Sequence, residues 1–384
     1  MKRLVVFHLA LLIGCRTSPD HATASAARPI AGAATAAGAA PATAAPPIAG
    51  VTPVQGDFKL EGFKFTSGDK IDELRIHYMT LGTARRDGSG HVTNAVLIMH
   101  GTNGSGQQFT GPQFTDTLFG RGQPLDLTRY YVILPDDIGH GGSSKPSDGL
   151  HARFPRYGYT DMVAAEHALI VDGLKVSHLR LVMGTSMGCM HSWMWAENWP
   201  SAIDAVMALA CLPTQIAGRN RQWRKMVIDM IRQDPAWNGG EYTQQPRAAL
   251  LGANGLLGMA GSSPMADQKR MPNRDATDQQ VEADEAKFLA TYDANDLLYA
   301  ISSSSDYDPS AGLETITAPV LLVNSGDDFI NPPELAIAER EIKRVNHGRF
   351  LLIPASESTH GHGTHTWGAF WGKDLQQLLD STAK

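Results

Sequence analysis

A surplus of basic charge is missing from this 384-residue sequence: 33 lysines and arginines face 39 aspartates and glutamates, for a net charge of −6. That excludes the basic surface on which nucleic-acid binding rests. Long internal apolar runs are missing too. None approaches the ~18–20 residues that a membrane-spanning helix needs, so no internal segment is expected to cross a bilayer. Cysteine is scarce, at positions 15, 189 and 211 only, and no internal repeat is evident.

What is present begins with an export signal. Met1-Lys2-Arg3 supplies positive charge, and residues 4–13 form an apolar core too short to anchor a span. Leu12-Ile13-Gly14-Cys15 resembles a bacterial lipobox, which implies cleavage before Cys15 and a lipid on its thiol. Ordinary cleavage within Ala22-Thr23-Ala24-Ser25-Ala26 is the alternative. Residues 1–14 are thus expected to be a lipoprotein-type signal peptide. Residues 15–50, mostly Ala, Pro, Thr and Gly, are expected to be a disordered tether, because they cannot bury enough surface to offset their ordering entropy. The expected location is periplasmic or cell-surface, with the membrane reached through the lipid on Cys15. An oxidising compartment permits a bridge between Cys189 and Cys211. Each also sits in an apolar stretch, where a free buried thiol is the plainer reading.

From residue 51 the pattern changes. Residues 58–65 and 74–81 alternate apolar and polar side chains, as half-buried antiparallel strands do. Continuous apolar runs follow at 95–99, 130–134, 179–183, 205–209, 319–323 and 350–354, which suits buried parallel strands. Helical segments between them, such as 159–174 and 333–345, make this an α/β fold with a mostly parallel central sheet flanked by helices. Residues 214–313 break the alternation with helices and loops only. The core is therefore placed at 51–213 and 314–384, with a helical lid at 214–313 between two late strands.

Gly184-Thr185-Ser186-Met187-Gly188 joins one of the strands to a helical stretch. Gly-x-Ser-x-Gly in that setting is a nucleophile elbow, which exposes the serine hydroxyl above the sheet. Serine needs a base, usually histidine held by a carboxylate, and in such folds the chain order is serine, acid, histidine. After the strand at 319–323 come Asp327 and Asp328; Asp328 lies four residues before Pro332 and is preferred, with Asp327 read as a turn residue. After the last strand come His360, His362 and His365. His362, in Gly361-His362-Gly363, is the preferred base. A metal site in this cluster is not expected, since no acidic or cysteine partner has a suggestive spacing. The oxyanion donors are placed at the N–H of Met187 and, in His100-Gly101-Thr102-Asn103-Gly104, at the N–H of Thr102. The turn from Asp136 to Ser143 reads as structural, with His140 packed in it. No cofactor is implied.

These residues resemble the α/β-hydrolase superfamily, and within it the homoserine O-acetyltransferase group. The likeness rests on Asn94-Ala95-Val96, on Ser186-Met187-Gly188 and the Met-rich stretch after it, and on residues 234–242 (Asp-Pro-Ala-Trp-Asn-Gly-Gly-Glu-Tyr). Gly361-His362-Gly363 stands where the group has Gly-His-Asp. The resemblance implies a homodimer. It also implies an arginine and a tyrosine for the amino-acid substrate, but those positions fall near Asn254 and Gly261 here, and the aspartate after the histidine is Gly363. Losing them removes charged recognition of homoserine. The sequence therefore favours an exported serine hydrolase that cleaves an ester or related acyl bond of a small molecule; the alternative is an O-acyltransferase with the same triad.

Overall fold

The structure, a computed structural model, describes residues 48–382. The expected signal peptide, Cys15 and most of the expected tether lie outside them. Eight strands form one sheet: β1 (Val54–Lys64), β2 (Lys70–Leu81), β3 (Ala95–Met99), β4 (Tyr131–Pro135), β5 (Leu181–Thr185), β6 (Val206–Leu209), β7 (Val320–Ser325) and β8 (Gly348–Ile353). Their spatial order is β1-β2-β4-β3-β5-β6-β7-β8. The pairs β1/β2 and β2/β4 are antiparallel, and all others are parallel. The fold is thus the expected α/β hydrolase architecture, with the alternating segments as the antiparallel edge and the continuous apolar runs as the parallel strands, the last of which, β8, forms the opposite edge.

Helices cover both faces of the sheet. They are α1 (Pro112–Leu118), α2 (Tyr159–Ala168) and α3 (Met187–Asn198) before β6, then α4 (Gly218–Gln233), α5 (Arg247–Gly261), α6 (Pro264–Arg270), α7 (Arg274–Thr291) and α8 (Ala294–Ser302) before β7; α9 (Ile337–Glu341) and α10 (Gly372–Ser381) follow. Side-chain alternation along the central strands splits the core in two. Leu97, Ile133, Val182 and Val206 face α2 and α3, with Met162 and Trp193. Val96, Val132, Leu181 and Met207 face α1 and α10, with Phe114 and Leu375. Burial on both faces explains why these strands carry apolar residues at successive positions.

The α4–α8 insertion has its own apolar cluster, including Val227, Ile231, Leu250 and Leu297. The segment at 234–242 belongs to that framework. Asp234 accepts from the N–H groups of Ala236 (2.9 Å) and Ala249 (3.1 Å). The Trp237 indole donates to Asn295 (2.8 Å), and the Tyr242 hydroxyl donates to Asp293 (2.7 Å). The motif that most resembles the transferases therefore fixes helices to one another. Helix α6 is short, seven residues begun by Pro264.

Candidate active site

The elbow lies between β5 and α3. Ser186 has φ 54° and ψ −105°, a conformation that a non-glycine residue holds only under local strain. Both elbow glycines are sterically required. A Cβ on Gly184 would strike the Gly188 carbonyl, and one on Gly188 would strike the Met99 carbonyl. Strand β5 can therefore turn into α3 within the width of one residue while passing against β3. The Ser186 N–H donates to Leu209 O (2.8 Å), and the Gly188 N–H donates to His100 O (2.9 Å), which ties the turn to the ends of β6 and β3.

The structure brings Ser186, His362 and Asp328 together. Ser186 Oγ lies 2.9 Å from His362 Nε2, and His362 Nδ1 lies 2.9 Å from Asp328 Oδ2. Asp328 is buried. Its Oδ1 accepts from the N–H groups of Ile330 (2.8 Å) and Asn331 (3.1 Å), and its Oδ2 from the Asn331 side chain (3.1 Å). Burial alone would push this carboxyl up. The charge and hydrogen bond of His362, with the donors of Asn331, outweigh it and hold Asp328 below the ordinary carboxylate range. The other two histidines are engaged elsewhere. His360 stacks on Trp367, with ring centroids 4.3 Å apart. His365 is buried with Nδ1 on the His362 carbonyl, and burial lowers its pKa to about 3.

Met187 is the first residue of α3, where an N–H has no acceptor within the helix. The loop after β3 passes beside the serine: a Cβ on Gly101 would sit 3.4 Å from Ser186 Cβ. Thr102 follows Gly101 directly, and Gln108 braces the loop by accepting from the Gly101 N–H (3.0 Å) and donating to Thr185 Oγ1 (2.8 Å). The turn at 136–143 is a scaffold. Asp136 accepts from the N–H groups of Gly106 and Gly142, each at 2.7 Å, and buried His140 bonds the Ile138 carbonyl at 2.9 Å.

Three findings depart from, or go beyond, the sequence reading. Cys189 and Cys211 are joined by a disulfide, with Cα atoms 5.9 Å apart. The plainer reading of two free thiols is therefore corrected: β6 lies next to β5, which brings the first turn of α3 against the loop after β6.

Asp327 does more than close a turn. Its carboxylate accepts from Ser263 Oγ (2.7 Å), Thr359 Oγ1 (2.8 Å) and the Gly361 N–H (3.0 Å), joining the insertion to the histidine loop. Gly361 completes that joint, because at φ 57° a Cβ there would strike the Ser262 carbonyl. Asp327→Ala is expected to reduce the unfolding free energy by about 1–3 kcal/mol, because the Gly361 N–H loses its acceptor. Unchanged thermal unfolding would show that the joint carries no load.

Asp137, Glu166 and His191 form a fully buried cluster behind the elbow, with ligand-type atoms within 4.8 Å of one another. That set could hold a metal ion. It was not legible in the sequence, because its members come from the turn after β4, from α2 and from α3. His191 Nδ1 lies 2.9 Å from Glu166 Oε1, and the Trp195 indole donates to Glu166 Oε2 (2.7 Å). Burial raises the Glu166 pKa from 4.5 to about 7. Between those values the folded protein holds a proton that the unfolded chain has released, so this contribution to stability falls as pH rises through the window. Relative to Glu166→Gln, the wild-type unfolding midpoint is expected to lose ground between about pH 5 and about pH 8. Equal slopes in both proteins would rule this group out as the cause.

A cavity of about 1020 Å³ opens beside Ser186. Its walls come from the core (Met190, Leu212) and from the insertion (Ile216, Arg224, Met259, Met265). Asn254 and Gly261 do not line it.

The pattern of the alpha/beta hydrolase fold family matches residues 94–358. A homoserine O-acetyltransferase of Pelobacter propionicus is 29% identical over 315 residues, covering 71% of this chain and 81% of that protein. The solved structure of a homoserine O-acetyltransferase from Bacillus anthracis superposes with a TM-score of 0.75 at 20% identity, over 85% of this chain and 98% of that one. An acetylester hydrolase from Corynebacterium glutamicum superposes with a TM-score of 0.74 at 20% identity, over 86% and 97%.

Proposed function

The chain belongs to the α/β hydrolase fold family, and on that premise we propose that it is a serine acyl-transfer enzyme: Ser186 takes an acyl group from an ester and passes it to an acceptor hydroxyl. The observation that carries this reading is the unbroken hydrogen-bonded chain from Asp328 through His362 to Ser186. His362 Nε2 accepts the Ser186 proton as Oγ bonds to the acyl carbon. The N–H groups of Met187 and Thr102 hold the oxyanion. The ester C–O bond then breaks, and the leaving alcohol takes the proton from His362. The acceptor next gives its proton to His362 while its oxygen attacks the acyl-enzyme, and collapse returns a proton to Ser186. Asp328 orients the imidazole and stabilises its charged form. The insertion acts as a lid that keeps bulk water out.

Similarity to a homoserine O-acetyltransferase favours an alcohol acceptor, in the manner of that group. A second reading, with water as acceptor, is favoured by Gly363, which offers no carboxylate beside His362, and by an acetylester hydrolase sharing the fold. One assay separates them. Ester turnover is followed with and without added alcohols: a new ester formed in bulk water supports transfer, and acid as the sole product supports hydrolysis. Absence of any acyl-enzyme on Ser186 would defeat both.

We also propose that the protein is exported and held to a membrane by a lipid on Cys15. Support comes from Leu12-Ile13-Gly14-Cys15 and from the Cys189–Cys211 disulfide, a bond that persists in oxidising compartments. Cys15→Ala should move the protein from the membrane to the soluble fraction. A mutant that stays membrane-bound would defeat the anchor.

A further inference from the structure

Arg224, on α4, is 2% exposed and lines the same cavity as Ser186. Its Nε donates to Asn220 Oδ1 (3.0 Å), and Nη1 lies 3.3 Å from Ser304 Oγ. The guanidinium carbon sits 4.6 Å from the Trp223 ring centroid. All of these partners are neutral. Among the described residues no aspartate or glutamate forms an ion pair with Arg224. A guanidinium has five N–H donors, and none of those of Arg224 meets a charged acceptor among the described residues. The Tyr159 hydroxyl lies beside both Arg224 and Thr102, yet neither it nor Thr102 Oγ1 closes a hydrogen bond of good geometry, and both atoms are buried. Burial lowers the Arg224 pKa, Tyr159 opposes that, and Arg221 adds to it. A buried, unneutralised charge is expensive to maintain unless a counter-charge arrives.

We infer that Arg224 is the anion-binding end of the substrate cavity and that the preferred ester carries one carboxylate on the part that occupies this cavity. The guanidinium fork matches a carboxylate bidentately. Met190, Leu212, Ile216, Met259 and Met265 give the cavity an apolar portion that suits a hydrocarbon spacer. A dianion such as phosphate is disfavoured because, among the described residues that line the cavity, the other cation is engaged: Arg219 is stacked 3.6 Å from the Phe329 ring centroid and donates to its carbonyl at 2.5 Å. The position differs from Asn254, so this is separate from the amino-acid contact that the resemblance implied.

The inference rests on Ser186 being the acyl-accepting serine, and the experiment keeps the two apart. Fluorophosphonate labelling reports Ser186 chemistry alone. Turnover of p-nitrophenyl esters of monomethyl dicarboxylates is then compared with that of the matching free-acid hemiesters. A second pair bears the carboxylate on the alcohol side, which tells which half of the ester occupies the cavity. Wild type is expected to favour one carboxylate-bearing ester over its neutral partner in kcat/KM by roughly 10- to 100-fold, the size of a charge-assisted hydrogen-bond pair. In Arg224→Met that ratio should collapse toward one, and in Arg224→Lys it should recover in part. Should Arg224→Met fail to fold, protection of wild-type Ser186 from fluorophosphonate by monomethyl glutarate, weakened in Arg224→Lys, gives the same answer. Labelling of Ser186 with no carboxylate preference in any pair overturns the inference and leaves the serine mechanism standing. So does a preference that survives Arg224→Met.

Discussion

Ser186→Ala is expected to lower kcat toward ester substrates by roughly 10⁴- to 10⁶-fold, the range seen when the nucleophile of such a triad is removed. Labelling by a fluorophosphonate probe should vanish with it. The fold should survive, because the substitution removes one hydroxyl whose partner is His362, while the N–H bond to Leu209 and the contacts of Gly184 and Gly188 are unchanged. Thermal unfolding measured alongside activity checks this. A mutant that is folded, inactive and unlabelled is the expected outcome. Labelling that persists at the wild-type rate would place the nucleophile elsewhere.

Asp328→Asn should be nearly as damaging, with kcat lower by roughly 10³- to 10⁴-fold, for a different reason. The Asp328 carboxylate accepts on both oxygens: the backbone donors of Ile330 and Asn331 use Oδ1, while His362 and the Asn331 side chain use Oδ2. In the variant the amide oxygen stays with the backbone donors, which turns the NH₂ group toward His362 Nδ1. That nitrogen must then accept, the imidazole proton moves to Nε2, and Nε2 can no longer take the Ser186 proton. The variant should therefore bind substrate with little change in KM, and raising the pH should not restore the wild-type rate, because the fault lies in the tautomer of His362 and not in its charge. Activity within a factor of about 10 of wild type would mean that another group orients His362.

What could be read from the sequence was whatever local sterics and chain order determine. The elbow is legible because Gly184 and Gly188 are excluded from carrying side chains by neighbours that any strand–turn–helix crossing would supply. Asp328 and His362 are legible because each follows a continuous apolar strand. Contacts between distant segments left no such trace. Nothing near Asp327 in the chain announces Ser263 or Thr359, which lie 64 and 32 residues away. Asp137, Glu166 and His191 each read as an ordinary polar residue in its own element. Arg224 sits in a helix full of basic residues, and its isolation appears only when the helix is packed. The disulfide was legible as a pair of cysteines, while its formation depends on the β5–β6 pairing.

The Asp327 joint also bears on how this enzyme could diversify. Lids are often treated as exchangeable modules that tune substrate range while the catalytic core stays constant. Here one carboxylate, adjacent in sequence to Asp328, holds Ser263 of the insertion and Gly361 of the loop that carries His362 at once. A transplanted insertion lacking a hydroxyl at that point would remove one donor to Asp327 and untie the insertion from the loop that carries His362. Swapping insertions between relatives should therefore alter turnover as well as selectivity, and successful chimeras should be those that preserve Ser263 together with the Ser262 backbone that packs against Gly361.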